Sequence, residues 1–249
     1  MRLDVYMAEN GLVPSRAKAQ EMIKNGSVTV NGKAASKPSE EINGADVVSL
    51  CENPLQRYVG RGGLKLEYAL ESFGISVEGA VAVDIGASSG GFTDCLLKKG
   101  AAFVYAVDSG EGQLHPSLLC DGRVENREHT NARYLKRSDF EKTPSVVVMD
   151  VSFISQTLIL PSVADILKEG GTLVTLIKPQ FELEKGALGK GGIVKTEKLR
   201  LRAVERVKAS AADLGFQLLN ITECAVHGGD GNIEYVAAFT VNKREREGL

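Results

Sequence analysis

The chain has 249 residues, 43% of them apolar and 25% charged, an ordinary globular composition that excludes a mainly disordered protein and leaves room for one large domain or a large and a small one. Thirty Lys and Arg against 32 Asp and Glu give a net charge of −2, so no global basic field marks a polyanion binder and any such contact must come from a local patch. Cys51, Cys95, Cys120 and Cys224 form no CxxC pair, and His115, His129 and His227 share no ligand spacing. This argues against a metal site or a disulfide framework and for reduced thiols. The N-terminal stretch is broken by charges every few residues, and no apolar run approaches the ~20 residues that span a bilayer. The expectation is a cytoplasmic protein with no membrane partner.

In chain order, Leu3, Val5, Tyr6 and Leu12 predict a short helix. Pro14-Ser15 offers a cap for a second helix over 16–25, with Ala17, Ala19, Met22 and Ile23 as its apolar stripe and Gly26 as its stop. Residues 27–30 and 33–35 read as strands joined by Asn31-Gly32, a strong two-residue hairpin signal, and 40–50 add a turn and a strand. Residues 1–38 carry six basic side chains (Arg2, Arg16, Lys18, Lys24, Lys33, Lys37) against three acidic ones, either a solvated face or a phosphate-facing surface.

The stretch from Ser15 to Lys33, with its basic helix followed by Gly26-Ser-Val-Thr-Val-Asn-Gly32-Lys, resembles the S4 RNA-binding module. That resemblance implies that Arg2, Arg16, Lys18, Lys33 and Lys37 face RNA phosphates and that structured RNA is read by shape. The expected division is an S4-like α+β domain over 1–52, a linker over 53–64 and a larger domain over 65–249.

Beyond the linker, helices are predicted at 65–73, 92–99, 156–167 and 197–214, and strands at 81–85, 102–107, 145–149, 172–177, 216–225 and 234–241. Repeated βα units with short apolar strands imply an α/β fold with a mostly parallel sheet, whose ligands bind at the carboxyl ends of the strands. After the first of these strands comes Asp84-Ile-Gly86-Ala-Ser88-Ser-Gly90-Gly91-Phe-Thr-Asp94. Three readings of this loop compete. A dinucleotide fingerprint wants glycine where Ser88 stands. Gly86-Ala-Ser88-Ser-Gly90 fits a nucleophile elbow, with His227 late in the chain, but too few strands precede it. The third reading is an S-adenosylmethionine loop, with Asp108 at the end of the next strand to bond the ribose hydroxyls.

Other strand ends carry charge. Val146-Val-Val-Met-Asp150 ends on a carboxylate, Leu176-Ile-Lys178-Pro-Gln-Phe-Glu182 places a lysine before a proline, Glu234 opens the last strand and Lys65 follows Gly62-Gly63. With the glycine loop, Gly112-Gln-Leu114 and Gly231-Asn-Ile-Glu234-Tyr, these phrases resemble the FtsJ-like ribose 2′-O-methyltransferases, and the S4-like front end narrows the resemblance to the TlyA/hemolysin A family. It implies a Rossmann-like class I methyltransferase with a seven-stranded sheet, and a Lys65–Asp150–Lys178–Glu234 catalytic tetrad. It further implies S-adenosylmethionine held by Asp84, Gly86, Ser88, Gly90, Gly91, Asp108 and Asn131, no metal, and ribosomal RNA or ribosomal subunits as partner, with cytidine as the target and a monomer favoured. Lys178 would receive the 2′-hydroxyl proton or steer the oxygen. Lys65 and burial favour its neutral form, Asp150 and Glu234 its charged form, and the sequence leaves both open.

Two basic features complete the reading. Leu183–Gly192 reads as a loop able to close over substrate, and Lys195 to Lys208 as either a second phosphate contact or a solvated helix face. Two other functions stay open: an RNA-binding protein that keeps the pocket but transfers no methyl, and a membrane-active hemolysin.

Overall fold

The structure, a computed structural model, describes residues 1–24, 26–50, 57–226 and 231–241. The expected helix end at Asn25, Cys51, residues 53–56 of the linker and His227 lie outside them. Two compact units divide the chain, Met1–Arg57 and Tyr58–Leu249.

In the front unit, α1 (Leu3–Glu9) and α2 (Arg16–Lys24) pack beside a three-stranded antiparallel sheet of order β2-β1-β3, with β1 Val28–Val30, β2 Lys33–Ala34 and β3 Val48–Leu50. Asn31 and Gly32 both take positive φ, 52° and 76°, as a type I′ hairpin requires, and bring Val30 opposite Lys33. Leu3, Met7, Ala19, Ile23, Val28 and Ile42 form the core. One feature contradicts simple patterning: Asp4 is fully buried. It survives there because Arg2 and Arg16 pair with it at 3.0 and 2.9 Å, and Gln20 donates to it at 2.7 Å. Chiefly through Arg2, this holds the carboxyl well below the usual carboxylate range.

The back unit begins with α3 (Gly62–Phe73). Its sheet then takes the order β6-β5-β4-β7-β8-β10-β9, from β4 (Val81–Ile85), β5 (Phe103–Val107), β6 (Val124–Arg127), β7 (Val146–Met149), β8 (Thr172–Ile177), β9 (Phe216–Glu223) and β10 (Tyr235–Val241). β4 to β8 run parallel, whereas β10 is antiparallel to both β8 and β9. Alternate residues of each central strand bury on opposite faces. Ala82, Val104, Val148 and Leu176 meet α3 and α4 (Gly91–Lys98). Val83, Tyr105, Val147 and Leu173 meet α6 (Leu160–Ile166) and α8 (Glu197–Asp213).

Three elements differ from the sequence-based expectation. β6 is the seventh strand, and the short helix α5 (Pro116–Leu119) precedes it. Val-Glu-Asn-Arg shows no apolar alternation, because this edge strand is mostly solvated. The helix expected over 156–167 is a 3₁₀ turn, Gln156–Leu158, followed by α6. And α3 starts at Gly62 and Gly63, residues that disfavour helix but permit close approach. A Cβ on Gly63 would lie 2.3 Å from the Tyr58 ring, and one on Gly91 would lie 2.9 Å from the Gly63 nitrogen. This packing presses the start of α3 against the glycine loop. Gly63→Ala is expected to cost about 1–3 kcal/mol through overpacking, read as a lower urea midpoint in circular dichroism; an unchanged midpoint would show that Tyr58 yields freely.

Candidate active site

Register brings the site together. Ile85 of β4 pairs with Val107 of β5 and Met149 of β7, so Gly86, Asp108 and Asp150 stand side by side one residue beyond the paired level. Ile177 of β8 pairs with Tyr235 of β10, which sets Lys178 beside Glu234. All lie at the carboxyl ends of the parallel strands, where the loops of such sheets bind ligands.

Here the four charged residues form two ion pairs. Lys178 Nζ lies 2.6 Å from Asp150 Oδ1 and donates to Ser152 Oγ at 3.0 Å. Lys65 Nζ, supplied by α3, donates to Glu234 Oε2 at 2.6 Å, with side-chain exposures of 10% and 7%. The buried thiol of Cys224 is raised above its ordinary pKa by burial, and it also feels Lys65, Glu234 and Asp150.

Beside them opens a cavity of about 500 Å³, within the usual range for small-molecule sites, lined by Gly86, Ser88, Asp108, Asn131, Asp150 and Phe153 among others. A smaller one of about 140 Å³ shares Gly86, Ser88 and Asp150 and adds Gly91. Gly86 has φ +86°, and a Cβ there would meet the Asp150 carbonyl oxygen at 2.3 Å, so the loop can turn there only as glycine. Asp108 accepts from the Ser88 and Gly110 amides, at 2.8 Å on Oδ2 and 2.7 Å on Oδ1. Each oxygen keeps a lone pair for a ligand hydroxyl. Asn131 Oδ1 caps the 3₁₀ turn Ala132–Tyr134 through the Arg133 amide.

Gly90 and Asp84 lie outside both walls. Gly90, at φ +92°, is packed by Leu114 and Leu118. Asp84 is fully buried beneath the loop, accepting from Thr93 Oγ1 at 2.7 Å, while its Oδ1 has no partner. The Ser88 amide is engaged by Asp108, and His227 is outside the described residues, so the elbow reading gains nothing. Among the described residues no cluster of ligating side chains could hold a metal ion.

In the front unit Lys33 and Lys37 are exposed, and Lys18 pairs with Glu21 at 2.8 Å. Arg2 and Arg16 each spend at least one nitrogen on Asp4. In α8, Arg206 donates to the Glu182 carbonyl and Lys208 pairs with Glu205, so part of that basic face is already engaged. The 183–194 segment is tethered at its far end by the buried Asn232, which accepts from the Val194 amide at 2.9 Å and donates to the Gly192 carbonyl at 3.2 Å. Two aromatic rings escape the sequence reading. Phe153, which lines the larger cavity, is 92% exposed at φ +64°, and its ring lies 5.1 Å from that of Phe181.

Burial pushes Asp84 up to about 7, with Asp150 and Asp108 adding to the rise and the Thr93 bonds opposing it. The folded value exceeds the unfolded one of about 3.9. The stability penalty is therefore absent below about pH 4, grows as pH rises and is complete above about pH 7. Asp84→Asn is expected to gain melting temperature over the parent at pH 8 and not at pH 4; a difference constant across that range would contradict the assignment.

The FtsJ-like methyltransferase family matches residues 58–241, and the S4 domain matches residues 1–48. Hemolysin A of Brachyspira hyodysenteriae is 45% identical over 97% of this chain and its own full length. The 16S/23S rRNA (cytidine-2′-O)-methyltransferase TlyA of Mycobacterium tuberculosis is 40% identical over 94% of this chain and 87% of that protein. A solved Streptococcus thermophilus protein with a provisional hemolysin name superposes with TM-score 0.75 at 43% identity, covering 98% of this chain and 89% of that one. A Listeria monocytogenes structure described as an S-adenosylmethionine-dependent methyltransferase shares the fold alone, at 14% identity and TM-score 0.57 over 73% of this chain and 99% of that one. As for the hemolysin names, no helix among the described residues is long and apolar enough to cross a membrane. With an S4 match in front, an FtsJ-like match behind and relatives aligned end to end, the chain belongs to the TlyA/hemolysin A family of FtsJ-like methyltransferases.

Proposed function

We propose that this protein transfers a methyl group from S-adenosylmethionine to the ribose 2′-hydroxyl of a cytidine in ribosomal RNA, with the S4 domain gripping structured RNA. The observation that carries the reading is the meeting of two ion pairs, Lys178–Asp150 and Lys65–Glu234, at the sheet edge that opens into the glycine-loop cavity. The relatives named as rRNA (cytidine-2′-O)-methyltransferases, from Mycobacterium tuberculosis and Campylobacter jejuni, support the substrate class. The same reading puts the protein in the cytoplasm as a monomer.

The cavity suits the cofactor. Gly86 and Ser88 line both cavities, and the free lone pairs of Asp108 match two ribose hydroxyls. Ile85, Val107 and Ile159 supply apolar wall for an adenine, with Asn131 at its edge. Gly86, Ser88 and Gly91 would face the methionine part, and Asp84 and Gly90 would support the loop from outside the cavity. Bound there, S-adenosylmethionine supplies a methyl carbon already activated by its sulfonium.

The chain's own task is to align a poor nucleophile and take up its proton. Lys178 Nζ pairs with Asp150 at 2.6 Å and donates to Ser152 Oγ at 3.0 Å, which fixes the nitrogen where the ribose oxygen would lie. Lys178 orients the hydroxyl, and as the new oxygen–carbon bond forms the proton goes to Nζ when Lys178 is neutral, or to the Asp150 carboxylate when Lys178 is charged. Lys65 and Glu234 hold the far side of the ribose. The exposed Phe153, set against Phe181, offers a stacking face for the target base.

Lys178→Ala is expected to lower single-turnover methyl transfer by roughly 10²–10⁴-fold with cofactor binding intact; retained transfer would remove Lys178 from the mechanism. Lys178→Arg separates orientation from proton uptake, because arginine keeps a donor and cannot accept. For the front unit, Lys33→Ala with Lys37→Ala is expected to lower the slope of log K against log salt for RNA binding by roughly 1–2, about one counterion per lost phosphate contact. An unchanged slope would take both lysines off the RNA.

A further inference from the structure

Glu182 has no part in the chemistry proposed above, yet it is a carboxylate with only 1% of its surface exposed. It closes the short helix α7 (Pro179–Glu182), four residues beyond Lys178. Its Oε1 accepts from the Gln156 amide at 2.8 Å, and its Oε2 accepts from Ser155 Oγ at 2.5 Å. Its carbonyl oxygen accepts from Arg206 of α8 at 2.7 Å. Gln156, itself buried, accepts from Thr175 Oγ1 at 2.8 Å and donates to the Leu176 carbonyl. One carboxylate thus ties the loop leaving β7 to the turn leaving β8.

These two segments carry the reacting edge. The loop leaving β7 holds Asp150, Ser152 and Phe153, and the turn leaving β8 holds Lys178 and Phe181. At the near end the loop is fixed by the Asp150 amide donating to the Ile85 carbonyl at 3.0 Å. At the far end Glu182 grips Ser155 and Gln156. Between those anchors Phe153 sits at φ +64° with its ring in solvent, a conformation that a phenylalanine does not keep unless the surrounding chain imposes it. A buried carboxylate is expensive unless hydrogen bonds compensate it, and the bonds from Ser155 and the Gln156 amide span 27 and 26 residues to reach this one.

We propose that Glu182 is a positioning residue for methyl transfer: by clamping the loop after β7 to the turn after β8, it sets the Lys178–Asp150–Ser152 contact and the Phe153–Phe181 pair. The assignment rests on the reading of Lys178 and Asp150 as the reacting edge.

The test uses the full chain, S-adenosylmethionine and unmodified ribosomal subunits. Glu182→Ala is expected to lower the single-turnover rate on the order of 10²-fold, as a misplacement of about 1 Å does, with the cofactor Kd changed less than threefold. Glu182→Gln is expected to recover most of that rate, because an amide accepts from the Gln156 amide and donates to Ser155 Oγ. The chain contains no tryptophan, so Phe153→Trp is a unique reporter, and its fluorescence anisotropy is expected to fall when Glu182→Ala is added. Wild-type rate in Glu182→Ala, no recovery in Glu182→Gln, or loss of cofactor binding in step with the rate would each overturn the assignment. Should the parent protein transfer no methyl to any subunit, the functional reading fails, and the reporter still decides whether Glu182 holds the loop: unchanged anisotropy would overturn that too.

Discussion

Two lysines and two carboxylates are held almost out of water where β7 and β8 end and β10 begins, and most of the back unit can be understood as what is needed to keep them there. Taking such groups from solvent costs several kcal/mol per ion, which only close pairing and further hydrogen bonds offset. The sheet supplies the pairing. Parallel β7 and β8 bring Asp150 and Lys178 together at 2.6 Å, antiparallel β10 sets Glu234 beside Lys178, and α3 delivers Lys65 to Glu234 at 2.6 Å. Because α3 must reach that edge, its first turn is pressed onto the glycine loop, and Gly63 and Gly91 stand where any side chain would collide.

The glycine loop has a matching constraint. Gly86 turns directly against the Asp150 carbonyl, so the residue that opens the cavity also abuts a member of the reacting edge. Asp84 lies beneath, buried and drawn up to about 7, a locally unfavourable group in a strand otherwise made of Val, Ala and Ile. Such departures from easy burial concentrate here and at Phe153, consistent with strain being kept where ligands are handled. In the front unit Asp4 is the counterpart: a buried carboxylate that holds Arg2 and Arg16 at fixed positions on the surface.

Much of this was legible in the sequence. Apolar runs ending in Asp150, Lys178 or Asp108 mark strands and their functional ends together, and Asn31-Gly32 marks its hairpin. What stayed hidden has physical reasons. β6 lacks an apolar face because it is a solvated edge. The helix expected from Gln156 onward is interrupted because Pro161 has no N–H to offer the Thr157 carbonyl and is accommodated only in the first turn of α6. Phe153 reads as core in any pattern based on hydrophobicity, and only its backbone conformation turns it outward. The burial of Asp4 and Glu182 is not announced in the sequence, since apart from Arg2 beside Asp4 the side chains that bond them lie 12 to 27 residues away.

The central claim is that the paired edge and the adjoining cavity together perform ribose methylation on ribosomal RNA. It is tested most directly by incubating the purified protein with labelled S-adenosylmethionine and unmodified ribosomal subunits, then digesting the RNA to nucleosides. The account predicts label in 2′-O-methylcytidine. Label in a base-methylated nucleoside, or no label in RNA from a preparation that binds the cofactor and both subunits, would contradict it.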